Sequence, residues 1–202
     1  MGENMKIELL APSHPFSSNC YLISSAGEYA VIDPSSPFSA EKVDGKVKYI
    51  LLTHSHFDHI LEIDSWVNAG AEVIISEREV DFLADPGRNC YRLYDGSEKG
   101  YFGKAYAVAD GEEFILGNEN FKLLHLPGHT IGSSAYIFND CAFVGDTVFA
   151  GGGYGRWDLP SGDMFALYGS IKKVKELPDS LVLYSGHGEP TTVKQYKLDT
   201  NR

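Results

Sequence analysis

The chain alternates short apolar runs with clusters of turn residues. Near the N-terminus, the runs 5–11, 20–25 and 29–33 predict strands, and the letters SAGE between the last two are typical of a hairpin turn. The unbroken, β-branched run VKYILLT at 47–53 predicts a buried strand, and AEVIIS at 71–76 predicts another. The first part of the chain is therefore expected to form a sheet.

A helix and a second set of strands are predicted further along. Apolar residues recur at helical spacing in DHILEIDSWVNAG, so a helix is expected from Asp58 to Gly70. A second helix is expected over 162–178. Further strands are predicted at 113–117, 121–127, 134–139, 141–146 and 180–186, followed by a short tail. Strands in both halves, each set followed by a helix, predict a layered α/β or α+β sandwich.

One stretch breaks this pattern. Residues 85–110 contain turn residues and several tyrosines but no clean period, which predicts an irregular loop. No low-complexity linker divides the chain, so residues 1–202 are expected to form a single domain.

Composition narrows the class of protein. The formal charge of -11 and the absence of a Lys/Arg cluster argue against nucleic acid and favour a small-molecule substrate. Three widely spaced cysteines do not suggest a disulfide framework. Neither a signal peptide nor an apolar run of membrane-spanning length is present, so a cytoplasmic protein without membrane contact is expected. The sequence gives no oligomeric state.

Candidate metal ligands follow four of the predicted strands. The stretch THSHFDHI places three histidines and one aspartate within six positions. The other predicted strands run into GHT, GDT and GHG. If these strand ends share one sheet edge, the following side chains converge: His54, His56, Asp58, His59, His129, Asp146 and His187.

This set suits metal chemistry. Alternating His-x-His places both rings on one side of an extended segment. Imidazole and carboxylate ligands without thiolate suit Zn, Fe or Mn. Five histidines and two aspartates are more than one tetrahedral site uses, which predicts two divalent metal ions, with Asp146 able to bridge them. The other two histidines, His14 and His125, are expected to be ordinary hydrogen-bonded residues.

The chain resembles the metallo-β-lactamase superfamily. The resembling residues are THSHFDH (53–59), LPGHT (126–130), GDT (145–147), GHG (186–188), and the openings NCYLI (19–23) and AVIDP (30–34). The resemblance implies a four-layer αββα sandwich with the metal site at one edge.

The resemblance also implies a role for each candidate ligand. It implies His54, His56 and His129 at one metal ion. It implies Asp58, His59 and His187 at the other, with Asp146 as the bridge and Asp33 as a supporting residue.

Within this superfamily, the resemblance points to short glyoxalase II-like hydrolases. True β-lactamases of this fold lack the bridging aspartate that Asp146 supplies, which argues against β-lactam hydrolysis. The segment 145–163 resembles both glyoxalase II-like hydrolases and persulfide dioxygenases, with Arg156 and Asp158 after a Gly-rich loop. These two residues are interpreted as an ion pair that shapes the loop, with substrate binding as the alternative. The resemblance does not extend to the C-terminal helical domain with which full-length glyoxalase II holds glutathione, so that way of holding glutathione is not expected here.

The predicted reaction is hydrolysis of a thioester or ester by a bridging hydroxide. Asp58 and Asp146 are the predicted catalytic residues, and Thr53 and Thr130 are expected to support the ligands. The alternatives are a mononuclear Fe persulfide dioxygenase, using His54, His129 and Asp146, and a non-catalytic metal-binding protein.

The aromatic residues of segment 85–110 have two interpretations. Tyr91, Tyr94, Tyr101 and Phe102 either cover the metal site or pack beneath the loop.

Overall fold

The first half of the chain forms a six-stranded sheet in this computed structural model, which describes residues 5–201. Its strands are β1 (Lys6–Leu10), β2 (Cys20–Ser25), β3 (Glu28–Ile32), β4 (Lys46–Leu51), β5 (Glu72–Ser76) and β6 (Ala105–Val108). They lie in chain order across the sheet. β1, β2 and β3 are antiparallel neighbours, whereas β3 to β6 are parallel.

The second half forms another six-stranded sheet and a small hairpin. The strands in chain order are β7 (Glu113–Leu116), β8 (Glu119–His125), β9 (Ser134–Ile137), β10 (Cys141–Gly145), β11 (Val148–Phe149), β12 (Gly153–Tyr154), β13 (Val182–Ser185) and β14 (Thr191–Thr192). The sheet order is β14-β13-β10-β9-β8-β7, and β11 pairs with β12. β10 and β13 are parallel, while the other neighbours in the sheet are antiparallel.

Four α-helices lie on and around these sheets within residues 5–201: α1 (Ile63–Asn68), α2 (Tyr91–Asp95), α3 (Met164–Glu176) and α4 (Val193–Asp199). Short 3-10 turns occur at Phe57–His59, Val80–Phe82 and Ala150–Gly152. None of the helices in this part of the chain is long and apolar enough to cross a bilayer.

The two sheets pack face to face through a shared apolar core. Ile23, Ile32 and Leu51 from the first sheet are buried in one cluster with residues of the second. The rings of Tyr21 and Phe143 meet across the interface, with their centroids 5.3 Å apart. The alternation of side chains along each strand therefore leaves both outer faces free to bind helices.

Helices cover both outer faces. On the first sheet, α1 buries Ile63 and Trp66 in a separate cluster that includes Ile50. On the second sheet, α3 and α4 bury Leu167 and Tyr196. The architecture is thus four layers, αββα, as the resemblance implied.

All ten predicted strands are present, but three other expectations need correction. The helix expected from Asp58 is split, because Asp58 lies in a 3-10 turn and α1 begins at Ile63. The tail expected after 186 instead forms β14 and α4. The segment 85–110, expected to be irregular, contains α2 and β6. The predicted stop at Gly70 is confirmed by its left-handed φ of +100°.

Strand directions bring the candidate ligands to one edge. β8 and β10 both run antiparallel to β9, so their C-terminal ends lie on the same side, and β13 is parallel to β10. β4 of the first sheet ends close to the end of β10. Thr53 follows β4, and a Cβ on Gly145, the last residue of β10, would lie 2.4 Å from Thr53 Oγ1. Gly145 also has a φ of +51°, so a side chain there would be strained as well as crowded.

Candidate metal centre

All seven candidate ligands come from loops at this edge. His54 and His56 follow β4, and Asp58 and His59 occupy the 3-10 turn after them. The remaining three follow β8, β10 and β13: His129, Asp146 and His187. Ligand atoms of three overlapping groups lie within 4.8 Å of one another: His54–His56–His129, His54–His59–Asp146, and Asp58–His59–His187.

The first group consists of three buried imidazoles. His56 Nδ1 and His129 Nε2 face each other at 2.9 Å. The other nitrogen of His129, Nδ1, donates to the Arg156 carbonyl oxygen at 2.6 Å, which leaves its Nε2 free of a proton. His54 Nδ1 lies 3.1 Å from Thr53 Oγ1, so its Nε2 points away from that contact. His129 therefore presents an unprotonated nitrogen, as a metal ion requires.

The group Asp58–His59–His187, called the second group from here on, mixes imidazole and carboxylate. His187 Nε2 lies 3.2 Å from Asp58 Oδ2, and His59 Nε2 lies 3.7 Å from the same oxygen. On its far side, His59 Nδ1 is 2.8 Å from Asp33 Oδ2. A carboxylate behind a ligating imidazole sets its orientation and tautomer.

Asp146 lies between the two groups. Its Oδ1 is 3.5 Å from His59 Nε2, on the side of the second group. Its Oδ2 is 3.7 Å from His129 Nε2 and 3.6 Å from His187 Nε2. One carboxylate therefore faces ligands of both groups, which is the geometry that a bridge needs.

Unsatisfied buried atoms provide the test of whether metal ions fit. The Nε2 atoms of His54, His56 and His59, and Oδ1 of Asp146, are buried without a hydrogen-bond partner. Buried polar atoms are normally paired, and leaving one unpaired costs about 1–3 kcal/mol. His54, His59 and Asp146 form one of the three groups, and a divalent cation there would supply the missing partner, so the residues present suit the implied metal ions.

The pKa values of the candidate ligands also favour bound metal ions. Burial holds the pKa of His54 well below its usual range and lowers the pKa of His56 to about 3. Burial also lowers the pKa of His129. The first group is therefore neutral at neutral pH. At His59, burial acts in the opposite direction, but Asp33, Asp58 and Asp146 outweigh it and raise the pKa. Positive charge is thus stabilised where the carboxylates converge.

Asp33 supports both the ligand loop and a ligand. It is buried at the end of β3, with a left-handed φ of +49°. Its Oδ1 accepts from the Thr53 backbone N–H at 2.8 Å, and its Oδ2 accepts from Thr53 Oγ1 at 2.7 Å. The supporting role implied for Asp33 and Thr53 agrees with these contacts.

A second buried carboxylate, Glu79, was missed by the sequence analysis. Its side chain is 0% exposed. Its Oε1 accepts from the backbone N–H of Ser55 at 3.2 Å and from the Ser55 hydroxyl at 2.7 Å. Its Oε2 accepts from Thr130 Oγ1 at 3.0 Å and from the Gly132 N–H at 2.9 Å. Glu79 thus joins the two loops that carry the first group.

The only available sequence signal for Glu79 was weak. It lies a few residues past the end of β5, at the same sheet edge as the ligands. Glu77, two positions earlier, is exposed, and nothing in the letters SERE distinguishes one glutamate from the other.

The site opens into a cavity of about 400 Å³. Its floor includes Asp58, Asp146 and His187. Its walls are formed mainly by apolar groups and one arginine: Phe57, Cys90, Phe149, Gly155, Arg156 and Leu159. Arg156 pairs with Asp158 through two contacts of 2.8 Å, which agrees with the ion-pair interpretation.

The aromatic residues of 85–110 mostly pack rather than cover the site. Tyr91 and Tyr101 are buried in the outer core of the first sheet. Phe102 lines a different cavity. The interpretation that these three cover the metal site is therefore wrong, because the outer core of the first sheet takes up the rings of Tyr91 and Tyr101, and the exposed Phe102 lies at another cavity. Tyr94 instead stacks on Phe57, and Cys90 reaches the cavity wall.

The two remaining histidines lie outside the candidate groups. His14 Nε2 is 3.3 Å from Tyr94 Oη, and its Nδ1 accepts from the Phe16 N–H. His125 lies at the end of β8, where its backbone N–H donates to Asp110.

Comparison with known proteins identifies the family. The model of the metallo-beta-lactamase superfamily matches residues 14–187. Hydroxyacylglutathione hydrolase GloC of Haemophilus influenzae is 34% identical over 204 residues, covering 96% of this chain and 95% of that protein. The chain belongs to the metallo-β-lactamase superfamily and is a metallo-hydrolase of that fold.

Solved structures agree with this assignment. The BLEG-1 B3 metallo-beta-lactamase superposes with a TM-score of 0.82 at 30% identity, over 95% of both chains. TTHA1623, crystallised in a di-iron-bound form, superposes with a TM-score of 0.79 at 27% identity, over 95% of this chain and 96% of that one.

Proposed function

We propose that the protein is a hydrolase with a dinuclear metal centre that cleaves a thioester or ester. The observation that carries this proposal is Asp146, whose two oxygens face the first and the second ligand group. His54, His56 and His129 would hold one ion. Asp58, His59 and His187 would hold the other. The donor set favours Zn, with Fe or Mn as alternatives.

Metal ions in such a site polarise a carbonyl group and make hydroxide available at neutral pH. The protein's own residues orient this chemistry. Asp58 lines the cavity and contacts His187, so it is placed to hold or release a proton at Oδ2. The contact of His59 with Asp33 and that of His129 with the Arg156 carbonyl fix both rings.

Metal content is the first measurement. We expect about two divalent ions per chain, measured by plasma mass spectrometry on protein purified without added metal or chelator. About one Fe per chain, together with oxygen uptake on glutathione persulfide, would instead identify the dioxygenase.

Turnover is measured next, on a panel of small-molecule substrates. S-lactoylglutathione heads the thioesters because a relative is named a hydroxyacylglutathione hydrolase. A β-lactam is included because a structural relative is named a β-lactamase. We expect hydrolysis of a thioester or ester and none of the β-lactam. Metal-loaded protein that hydrolyses no thioester and no ester would overturn the proposal.

A further inference from the structure

The loop that carries His187 is bound by a residue from the first half of the chain. Asn19 lies just before β2, and its Nδ2 donates to the Gly188 carbonyl oxygen at 2.8 Å and to the Ser185 carbonyl oxygen at 3.0 Å. The backbone N–H of Asn19 donates to the Gly186 carbonyl oxygen at 2.6 Å. Asn19 therefore binds the chain on both sides of His187.

The residue before Asn19 binds a second ligand loop. Ser18 is buried, and its backbone N–H donates to the Asp58 carbonyl oxygen at 3.2 Å. The carbonyl oxygen of Ser18 in turn accepts from Ser35 Oγ at 2.7 Å. Ser18 and Asn19 thus join the loops of Asp58 and His187, two ligands of the second group that follow strands of different sheets.

The position of the His187 ring depends strongly on its backbone. Its side chain is 41% exposed, against 16% for Asp58 and 11% for Asp146. The rings of His59 and His129 each have a hydrogen-bond partner that is not a candidate ligand. Among the described residues, the ring of His187 hydrogen-bonds only to Asp58, which is itself a candidate ligand. The backbone of its loop is therefore what remains to place this ring when no metal ion is bound.

We propose that Asn19 is a positioning residue that holds His187 where it binds the metal ion of the second group. This inference rests on the proposed dinuclear centre and adds a residue that decides how tightly its second ion binds. Residues that orient a metal ligand typically change metal affinity by about 10–100-fold. Within residues 5–201, the side-chain hydrogen bonds of Asn19 reach none of the loops that carry His54, His56 and His129. The effect is therefore specific to the second group.

Stepwise cobalt titration of the full chain, followed by absorbance, tests the proposal. Asn19→Asp keeps the shape of the side chain, but a carboxylate offers only acceptors to the two carbonyl oxygens whichever way it turns. Asn19→Ala removes the donor without adding charge. We expect the ion at the first group to bind both variants as tightly as it binds the wild type, and the ion at the second group to bind about tenfold more weakly. His187→Ala identifies the absorbance of the first group alone, because it removes a ligand of the second.

A matched asparagine provides the control. Asn139 is exposed in the turn between β9 and β10, so Asn139→Asp makes the same chemical change away from the site. This variant should bind both ions as the wild type does. Equal weakening of both ions in Asn19→Ala, or wild-type affinity for both, would overturn the inference.

Tyr21→Phe gives a milder change in the same contacts. Tyr21 Oη donates to the Ser185 carbonyl oxygen at 2.9 Å and lies 3.0 Å from Asn19 Nδ2. Loss of this hydroxyl leaves Asn19 bonded to Gly188, so we expect the affinity for the second ion to fall less than in Asn19→Ala. A larger loss in Tyr21→Phe would contradict the role of Asn19.

Hydrogen exchange of the metal-free chain separates this inference from the proposed function. It needs neither bound metal nor turnover, and mass spectrometry follows segments 184–190 and 126–132 separately. In Asn19→Ala, we expect faster exchange over 184–190, because this loop has lost its side-chain donor, and unchanged exchange over 126–132. If the wild type binds a single ion but this difference is found, the dinuclear centre fails while the positioning role of Asn19 stands. Unchanged exchange over 184–190 refutes that role whatever the metal content.

Discussion

At the scale of single residues, the candidate centre depends on buried atoms that have no hydrogen-bond partner. These include the Nε2 atoms of His54 and His59 and Oδ1 of Asp146. Their neighbours hold them there, and Asp33 and Glu79 accept the hydrogen bonds that set the surrounding loops. Changes to a ligand and changes to a supporting carboxylate therefore have different expected effects.

Removal of a ligand should abolish both metal binding and turnover. His56→Ala takes one imidazole from the first group, and Asp146→Ala takes the carboxylate between the groups. Metal content and thioester hydrolysis are measured on both variants. His14→Ala serves as the control, since His14 is outside all three groups, and it should retain its metal. Full activity in either ligand variant would rule out the assignment.

Replacement of Glu79 should weaken one metal site more than the other. In Glu79→Gln, the amide nitrogen faces either the donors on Ser55 or those on Thr130 and Gly132, so one loop loses its acceptor. We expect a loss of about 1–3 kcal/mol in unfolding free energy. We also expect about tenfold weaker metal binding at the first group.

The two sites are distinguished by stepwise cobalt titration, followed by absorbance. Glu77→Gln is the matched control, because Glu77 is exposed on the same segment. Equal weakening at both sites would show that Glu79 acts only on overall stability.

At the scale of elements, the site depends on how closely loops approach the helices and strands. The loop carrying His129 passes α3 so tightly that a Cβ on Gly128 would lie 2.2 Å from the Leu167 backbone nitrogen. Asp163 caps α3 by accepting from the Ala166 N–H at 2.8 Å, and its own N–H donates to the Gly128 carbonyl. The start of α3 and the His129 loop are thus one packed unit.

Gly128→Ala should disturb this unit. Its φ of +136° and the contact with Leu167 both oppose a side chain, so we expect a loss of more than about 1 kcal/mol in unfolding free energy and weaker metal binding. Urea unfolding and metal titration measure the two effects. Gly151→Ala is the comparison, because Gly151 also has a positive φ but nothing within 4 Å of its Cβ. Equal losses in both variants would show that backbone strain alone is responsible.

At the scale of the whole molecule, the centre joins the two sheets. Ligands after β4 belong to the first sheet, and those after β8, β10 and β13 belong to the second. Metal ions bound between them would act on the folded state only, since the unfolded chain does not bring these loops together. Metal binding is therefore coupled to the stability of the entire sandwich.

Metal removal should lower the melting temperature. A ligand at one hundred times its Kd contributes about 2.7 kcal/mol. For a chain of this size, 1 kcal/mol corresponds to roughly 2–4 °C. We expect chelation to lower Tm by about 5–10 °C and added Zn to restore it, measured by calorimetry. His56→Ala should show little response to either treatment, and an unchanged Tm in the chelated wild type would contradict metal binding at this edge.

The local sequence pattern determined most of the strands and the kind of site that this protein carries. Period-two and unbroken apolar runs predicted most strands, because the side chains that a strand buries in a sheet are apolar and recur at fixed positions in the sequence. The ligand types and their spacing predicted a metal site, because His54, His56, Asp58 and His59 are neighbours in sequence. The αββα order came from resemblance rather than from periodicity.

Packing between distant parts of the chain decided where the first helix begins and which side chains surround the site. The split of the helix expected from Asp58 and the burial of Tyr91 and Tyr101 depend on the space beside the first sheet. Glu79 looks like Glu77 in the sequence, and only the approach of Ser55 and Thr130 makes it a buried acceptor. The contact of Asn19 with the His187 loop likewise exists only after folding, because the two segments are far apart in the chain. Such contacts depend on distances between distant residues, which the local pattern does not encode.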